Sequence, residues 1–89
     1  MNIEREMFTI VIQVDITVLK YFGEQKFYNG FVSQKEVGDK MEMTFVTASL
    51  IGFVKYYLLF GEYADIISPP ELKEMAKKNL EAITKKLLA

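Results

Sequence analysis

The side chains of this 89-residue chain that could take part in acid–base chemistry are mainly carboxylates, because the sequence contains no histidine and no cysteine. Glu24, Asp39, Glu62 and Asp65 fall in predicted turns, and their spacing supports no paired-carboxylate catalytic site. The missing residue types exclude cysteine nucleophiles, serine–histidine dyads, zinc fingers and haem held by histidine. We therefore expect no catalytic residues, no metal ligands and no cofactor, and we predict that the protein is not an enzyme.

Glycine and charge patterns argue against phosphate and nucleic-acid binding. The five glycines are scattered and form neither a P-loop nor a dinucleotide fingerprint. The formal net charge is −1, with one arginine against ten lysines, whereas domains that bind nucleic acid usually carry a basic excess. Of the third-strand pattern of RNA-recognition modules, only Phe45 and Val46 are present. We expect no direct DNA binding by this chain.

The first half of the chain predicts three strands and one short helix. Residues 7–14 alternate apolar side chains, as in a buried strand, and residues 16–22 predict a helix that begins after Asp15 and ends at Gly23. Residues 31–37 and 41–47 predict a hairpin. The first strand of this hairpin is the more polar, so we expect it at an edge of the sheet or with one wet face.

The second half predicts helix, strand and helix. Ser49 is expected to cap a helix that runs to about Phe60, followed by a short strand over 64–67 and a helix over 69–88. The buried stripe of the first of these helices is expected at Leu50, Phe53, Val54, Tyr57 and Leu58. Tyr56 and Phe60 lie outside that stripe, so we expect them to form an exposed apolar patch that suits a protein interface.

This order of elements predicts an α+β fold, a ferredoxin-like βαββαβ sandwich with an additional C-terminal helix. We interpret residues 1–89 as a single domain, with the ferredoxin-like part over 7–68 and the C-terminal helix over 69–88. Both crossover helices should lie on one face of the sheet. The last helix could then cover the open face, pack at an edge or meet another chain.

Positive charge collects in the last helix. Residues 1–68 carry a net charge of −3 and residues 69–89 a net charge of +2, with lysines at 77, 78, 85 and 86. One interpretation is a solvated helix face with cations near its C-terminal end, and the other is a docking surface for an acidic partner. Together with Tyr56 and Phe60, we select Lys77, Lys78 and Lys85 as candidate interface residues.

Three features bear on the compartment. No apolar run approaches the roughly 18–20 residues that span a bilayer, and the N-terminal residues lack the pattern of a secretory signal. The absence of cysteine fits the cytosol. We expect a cytoplasmic protein that does not engage the membrane.

Residues 50–83 resemble the C-terminal extension of WYL-domain transcriptional regulators of bacteria. The motifs that carry the resemblance are Leu58–Leu59–Phe60–Gly61 at the end of a helix, the strand over 64–67, and Pro69–Pro70–Glu71–Leu72 at the start of the last helix. The family commonly has a tryptophan where Tyr56 stands and an arginine where Lys73 stands. Lysine lacks the bidentate fork that arginine offers to a phosphate.

The resemblance implies a regulatory role. Family members join a DNA-binding winged helix to a WYL domain that is thought to sense a ligand, and the extension contributes to dimerisation and inter-domain contacts. Neither of those domains fits in this chain, so the resemblance implies an isolated C-terminal piece. Its partners would be a second copy or the WYL domain of a longer chain, with a small effector or nucleotide as a possible ligand.

The alternative is a stand-alone domain of the same fold that binds a small molecule, similar to amino-acid-sensing ACT modules. It predicts a ligand at a subunit interface and a gain in stability when that ligand is added.

Overall fold

Residues 6–89 are described by a computed structural model, in which they form four strands and three α-helices. The strands are β1 (Phe8–Asp15), β2 (Phe31–Val37), β3 (Lys40–Thr47) and β4 (Ala64–Ser68). The α-helices are α1 (Gln25–Tyr28), α2 (Leu50–Tyr57) and α3 (Pro70–Leu88), and 3₁₀ segments cover Ile16–Tyr21 and Gly61–Tyr63.

The strands form one sheet in the order β2-β3-β1-β4, and every neighbouring pair is antiparallel. In the two central strands Ile10 lies opposite Phe45 and Ile12 opposite Met43. The polar strand β2 lies at an edge, with every residue after Phe31 exposed, as its composition predicts. The structure thus confirms an α+β fold with a four-stranded antiparallel sheet and a C-terminal helix.

The core lies on one face of the sheet. Alternate residues of the central strands point into it, so that Ile10, Ile12 and Val14 are fully buried. Complete burial of such side chains contributes about 1.5–3 kcal/mol each. The buried residues of the helical segments join the same cluster, namely Val18, Phe22, Phe53, Val54, Tyr56, Leu72 and Ala76. The opposite face presents partly exposed residues such as Val11 and Gln13.

The segment after β1 differs from the predicted α-helix over 16–22. It is a 3₁₀ helix, and its β-branched residues Ile16, Thr17 and Val18 disfavour an α-helix. Asp15 stands at the N-cap position but makes no capping hydrogen bond, because its carboxylate pairs with Lys40 across the β1–β3 ladder.

Helix α2 begins as predicted and ends earlier. The Ser49 hydroxyl accepts a hydrogen bond from the Gly52 amide at 3.0 Å, which confirms the predicted cap. The helix ends at Tyr57 instead of Phe60. The next amides, those of Leu59 and Phe60, bond to carbonyls three residues earlier, so the chain tightens into turns.

Helix α3 begins at Pro70, with Pro69 at the N-cap position, one residue later than predicted. Its N-terminal half packs beside α2 and β4, where Leu72 and Ala76 are buried. Residues 81–89 are all exposed. The N-terminal half of α3 therefore packs on the face of the sheet that carries the core. It does not cover the opposite face.

Gly30 allows the chain to enter β2 close to β3. Its φ is +86°, and a Cβ atom built there would lie 1.9 Å from the Val46 carbonyl oxygen. The Val46 amide donates a hydrogen bond to the Gly30 carbonyl at 2.8 Å. Only glycine fits both the dihedral angle and the close approach.

Candidate functional site

An aromatic cleft of about 220 Å³ lies between the 3₁₀ segment that follows β1 and the end of α2. Its lining is mostly aromatic and contains no charged side chain: Val18, Tyr21, Phe22, Gln25, Tyr56, Leu59, Phe60 and Tyr63. The segment that follows β1 contributes residues such as Val18 and Tyr21, and the segment that follows α2 contributes Leu59 and Phe60. We call this feature the aromatic cleft.

Three rings form the inner part of the aromatic cleft. The Phe22 and Phe60 rings have centroids 4.6 Å apart, and the Tyr56 ring meets Phe60 edge-on at 5.0 Å. The Tyr56 and Phe22 rings are also edge-on, at 6.2 Å. Aromatic pairs in this range contribute about 0.5–1.5 kcal/mol beyond their burial, so the packing holds the two turns together.

The Tyr56 hydroxyl is buried and has no hydrogen-bond partner within residues 6–89. Burial raises the pKa of Tyr56 to about 12, because the charged phenolate would be poorly solvated there. An unpaired buried hydroxyl costs about 1–3 kcal/mol. The aromatic cleft is therefore lined by a side chain whose polar atom is unsatisfied.

The neighbouring Tyr57 hydroxyl is satisfied. It donates a hydrogen bond to the Ala64 carbonyl at 3.1 Å, which connects the end of α2 to the start of β4. Burial raises the pKa of Tyr57, and the negative charge of Asp65 raises it further. Tyr57 thus has a structural role, whereas its neighbour Tyr56 lines the aromatic cleft.

The prediction that Tyr56 and Phe60 form an exposed patch is wrong, because neither side chain is exposed. The two rings do meet, but Tyr56 is only 7% exposed and Phe60 is partly buried. The 3₁₀ segment after β1 brings Phe22 against this side of α2, so a wider arc of the helix is covered than a single stripe predicts. The exposed residues of this region are Tyr21, Leu59 and Tyr63, on the rim of the aromatic cleft. The interface role of Tyr56 and Phe60 stays a prediction.

The three predicted interface lysines lie on α3 and do not line the aromatic cleft. Lys77 is 3.3 Å from the Glu74 carboxylate in an exposed pair, which contributes little to stability. Lys78 and Lys85 are exposed and pair with no acidic group of residues 6–89. Their interface role also stays a prediction.

The C-terminal half of α3 carries an apolar stripe that nothing in residues 6–89 covers. Leu80 and Ile83 are 50% and 44% exposed, and Leu87 and Leu88 are 79% and 82% exposed. The stripe continues the buried positions Leu72 and Ala76 along the same helix. Apolar residues recur along α3 as far as Leu87, but their spacing alone does not show where the domain stops covering that face. We call Leu80, Ile83, Leu87 and Leu88 the α3 stripe.

A groove of about 260 Å³ between β4 and α3 leads from the core to the α3 stripe. It includes Ala64, Ile66 and Ala76 and ends at Leu80, with Lys73 and Lys77 also in its lining. The α3 stripe therefore adjoins a groove of mixed lining, which includes the charged residues Asp65, Lys73 and Lys77.

Within 6–89, no three acidic side chains are grouped so that they could hold a metal ion. Over the same range, no helix is both long and apolar enough to cross a bilayer.

Comparison with known proteins found no matching family model and no matching curated protein.

Proposed function

We propose that this chain is a non-enzymatic regulatory and self-association domain with a ferredoxin-like fold, similar to the C-terminal extension of WYL-domain transcriptional regulators. The strand order supports the fold, because β3 lies between β1 and β2 as in a split βαβ unit. The regulatory part of the proposal rests on the resemblance of residues 50–83. We place its action in the bacterial cytoplasm as part of the same proposal.

The observation that carries self-association is the α3 stripe. Soluble domains rarely leave a row of large apolar side chains uncovered along one helix face, and such rows usually mark an interface. The exposed residues Leu80, Ile83 and Leu87 follow one another at three- and four-residue spacings, as along a coiled-coil seam. We assign a second copy of this chain as the occupant.

An antiparallel pairing of the two α3 helices keeps Lys77 and Lys86 of one copy apart from the same two residues of the other. When Leu80 of one copy packs against Ile83 of the other, helix geometry brings the flanking Lys77 near Thr84 of the second copy. Lys86 then flanks Asn79 of the second copy. Lys77 thus meets a neutral residue, whereas Lys86 meets Asn79, whose side-chain oxygen already accepts a hydrogen bond from Lys55 at 2.9 Å.

Sedimentation velocity over a range of concentrations tests this assignment. Ile83 in the α3 stripe is substituted as the test position, and Ile51 on α2 is substituted as the control. Ile83→Gln removes two partly exposed isoleucines from each dimer, so its dissociation constant should rise roughly tenfold or more. Ile51 is 63% exposed outside the α3 stripe, and Ile51→Gln should leave dissociation unchanged. A wild-type chain that stays monomeric at millimolar concentration, or equal effects of both changes, would refute the assignment.

The second candidate function is small-molecule binding by an ACT-like module, and the aromatic cleft is the observation that favours it. Thermal unfolding in the presence of amino acids and nucleotides addresses it, because a ligand that binds only the folded state raises the melting temperature. A domain that only self-associates should show no such rise.

A further inference from the structure

We propose that the aromatic cleft binds a neutral, planar small molecule that carries one hydrogen-bonding group and presents that group to the Tyr56 hydroxyl. The inference deepens the second candidate function and places the site within a single copy. It does not depend on self-association, because no residue of α3 lines the aromatic cleft.

The shape of the aromatic cleft selects a flat ligand. Its inner part consists of the Phe22, Tyr56 and Phe60 rings, and flat apolar molecules make favourable offset and edge contacts with such rings. The volume of about 220 Å³ is below the range of roughly 300–1,000 Å³ that is typical for drug-sized ligands. One or two fused rings match this space better than a nucleotide does.

The electrostatics of the aromatic cleft select a neutral ligand. None of its lining residues is charged, so a charged ligand would lose hydration without gaining a counter-charge. The Lys20 ammonium lies beside the lining, 5.2 Å from the centroid of the exposed Tyr21 ring. An exposed lysine in this position remains hydrated and is a weak attraction for an anion.

Tyr56 supplies the polar anchor. Its side chain is more than nine-tenths buried, and its hydroxyl lacks a partner within residues 6–89, so a ligand that offers one removes an existing cost. The hydroxyl is shielded from water, so the ligand must part the surrounding rings to reach it. The exposed rim residues Tyr21, Leu59 and Tyr63 leave the outer side of the aromatic cleft open to such entry.

Indole and indene test this inference as a matched pair of probes. Both are neutral fused rings of nearly the same shape, but only indole has an N–H group to donate to the Tyr56 oxygen. Titration into the full chain, followed by the methyl NMR signals of Val18 and Leu59, reports binding at the aromatic cleft. We expect indole to bind about three- to tenfold more tightly than indene, because a neutral hydrogen bond contributes that much.

The variant Tyr56→Phe removes only the hydroxyl and should abolish the preference for indole while indene binding persists. The control Tyr28→Phe removes an exposed hydroxyl outside the aromatic cleft and should leave the preference unchanged. The inference is overturned if neither probe shifts the Val18 and Leu59 signals, if the preference survives in Tyr56→Phe, or if Tyr28→Phe abolishes it equally. None of these outcomes alters the sedimentation test of the α3 stripe.

Discussion

The Tyr57 hydroxyl donates a hydrogen bond to the Ala64 carbonyl at 3.1 Å, and it thereby joins the last turn of α2 to the first residue of β4. The preceding residue, Tyr56, is more deeply buried and has no partner for its hydroxyl within residues 6–89. We therefore expect the hydroxyl groups of these two adjacent tyrosines to affect stability in opposite directions.

Removing the two hydroxyls separately should reveal this difference. We expect Tyr57→Phe to lower the free energy of unfolding by about 1 kcal/mol, because the Ala64 carbonyl loses its side-chain donor. Tyr56→Phe should raise it by about 1 kcal/mol, because an unpaired polar atom leaves the interior. Urea unfolding at neutral pH measures both, and a loss of equal size in the two variants would contradict the assignment.

Stability should fall at alkaline pH through Tyr56. Its pKa is raised by burial from 10.0 to about 12, so the folded state binds this proton more tightly than the unfolded state does. The corresponding contribution of about 2–3 kcal/mol is fully present below pH 10 and is lost as the pH rises towards 12. Urea unfolding at several pH values in this range measures the slope.

The control for this slope is Tyr56→Phe, since other groups titrate in the same range. The pKa of Lys40 is raised mainly by its hydrogen bond to Asp15, and the pKa of Tyr57 is raised by burial. Both groups remain in the variant. The difference between the wild-type and variant slopes therefore isolates Tyr56, and identical slopes would rule out its titration as a cause.

Gly30 and Gly38 both adopt positive φ, but alanine should be tolerated at only one of them. At Gly30 the added Cβ would collide with the Val46 carbonyl oxygen, so we expect Gly30→Ala to cost at least about 3 kcal/mol or to prevent folding. At Gly38 no atom lies within 4 Å of the added Cβ, so Gly38→Ala should cost only about 1–2 kcal/mol for its dihedral angle. Thermal unfolding of both variants is the measurement, and similar costs would show that β2 can shift away from β3.

Truncation of the chain after Leu80 should weaken self-association while leaving the free energy of unfolding almost unchanged. Residues 81–89 are exposed, whereas the buried α3 residues Leu72 and Ala76 remain. We expect the free energy of unfolding to change by less than about 1 kcal/mol and the proposed dimer to be lost. Urea unfolding at low concentration and light scattering at high concentration measure the two effects. A truncated chain that still dimerises would move the interface away from the α3 stripe.

Alternation and capping patterns were sufficient to predict most of the fold. Strand β1 exposes one face and buries Ile10, Ile12 and Val14 as its period of two predicts. The Ser49 cap was predictable because its hydrogen bond to Gly52 is local. Such features depend on residues that are close together in the chain, so a single sequence contains the information.

The aromatic cleft was not predictable, because it depends on contacts between distant segments. The covering of Tyr56 requires Phe22, which follows a different strand and reaches α2 only once the sheet has formed. Asp15 fails as a cap for the same reason, since Lys40 competes for its carboxylate across the sheet. The partial burial of the α3 apolar face likewise depends on where β4 ends.

The position of β1 between β3 and β4 has a consequence for synthesis on the ribosome. Ile12 lies opposite Met43 on one side and beside Ile66 on the other, and both partners follow much later in the chain. At about 5–20 residues per second, β1 must wait on the order of seconds before either neighbour has been made. The most apolar strand of the sheet is thus the first to be made, and at least one of its edges stays unpaired until β4 has been made.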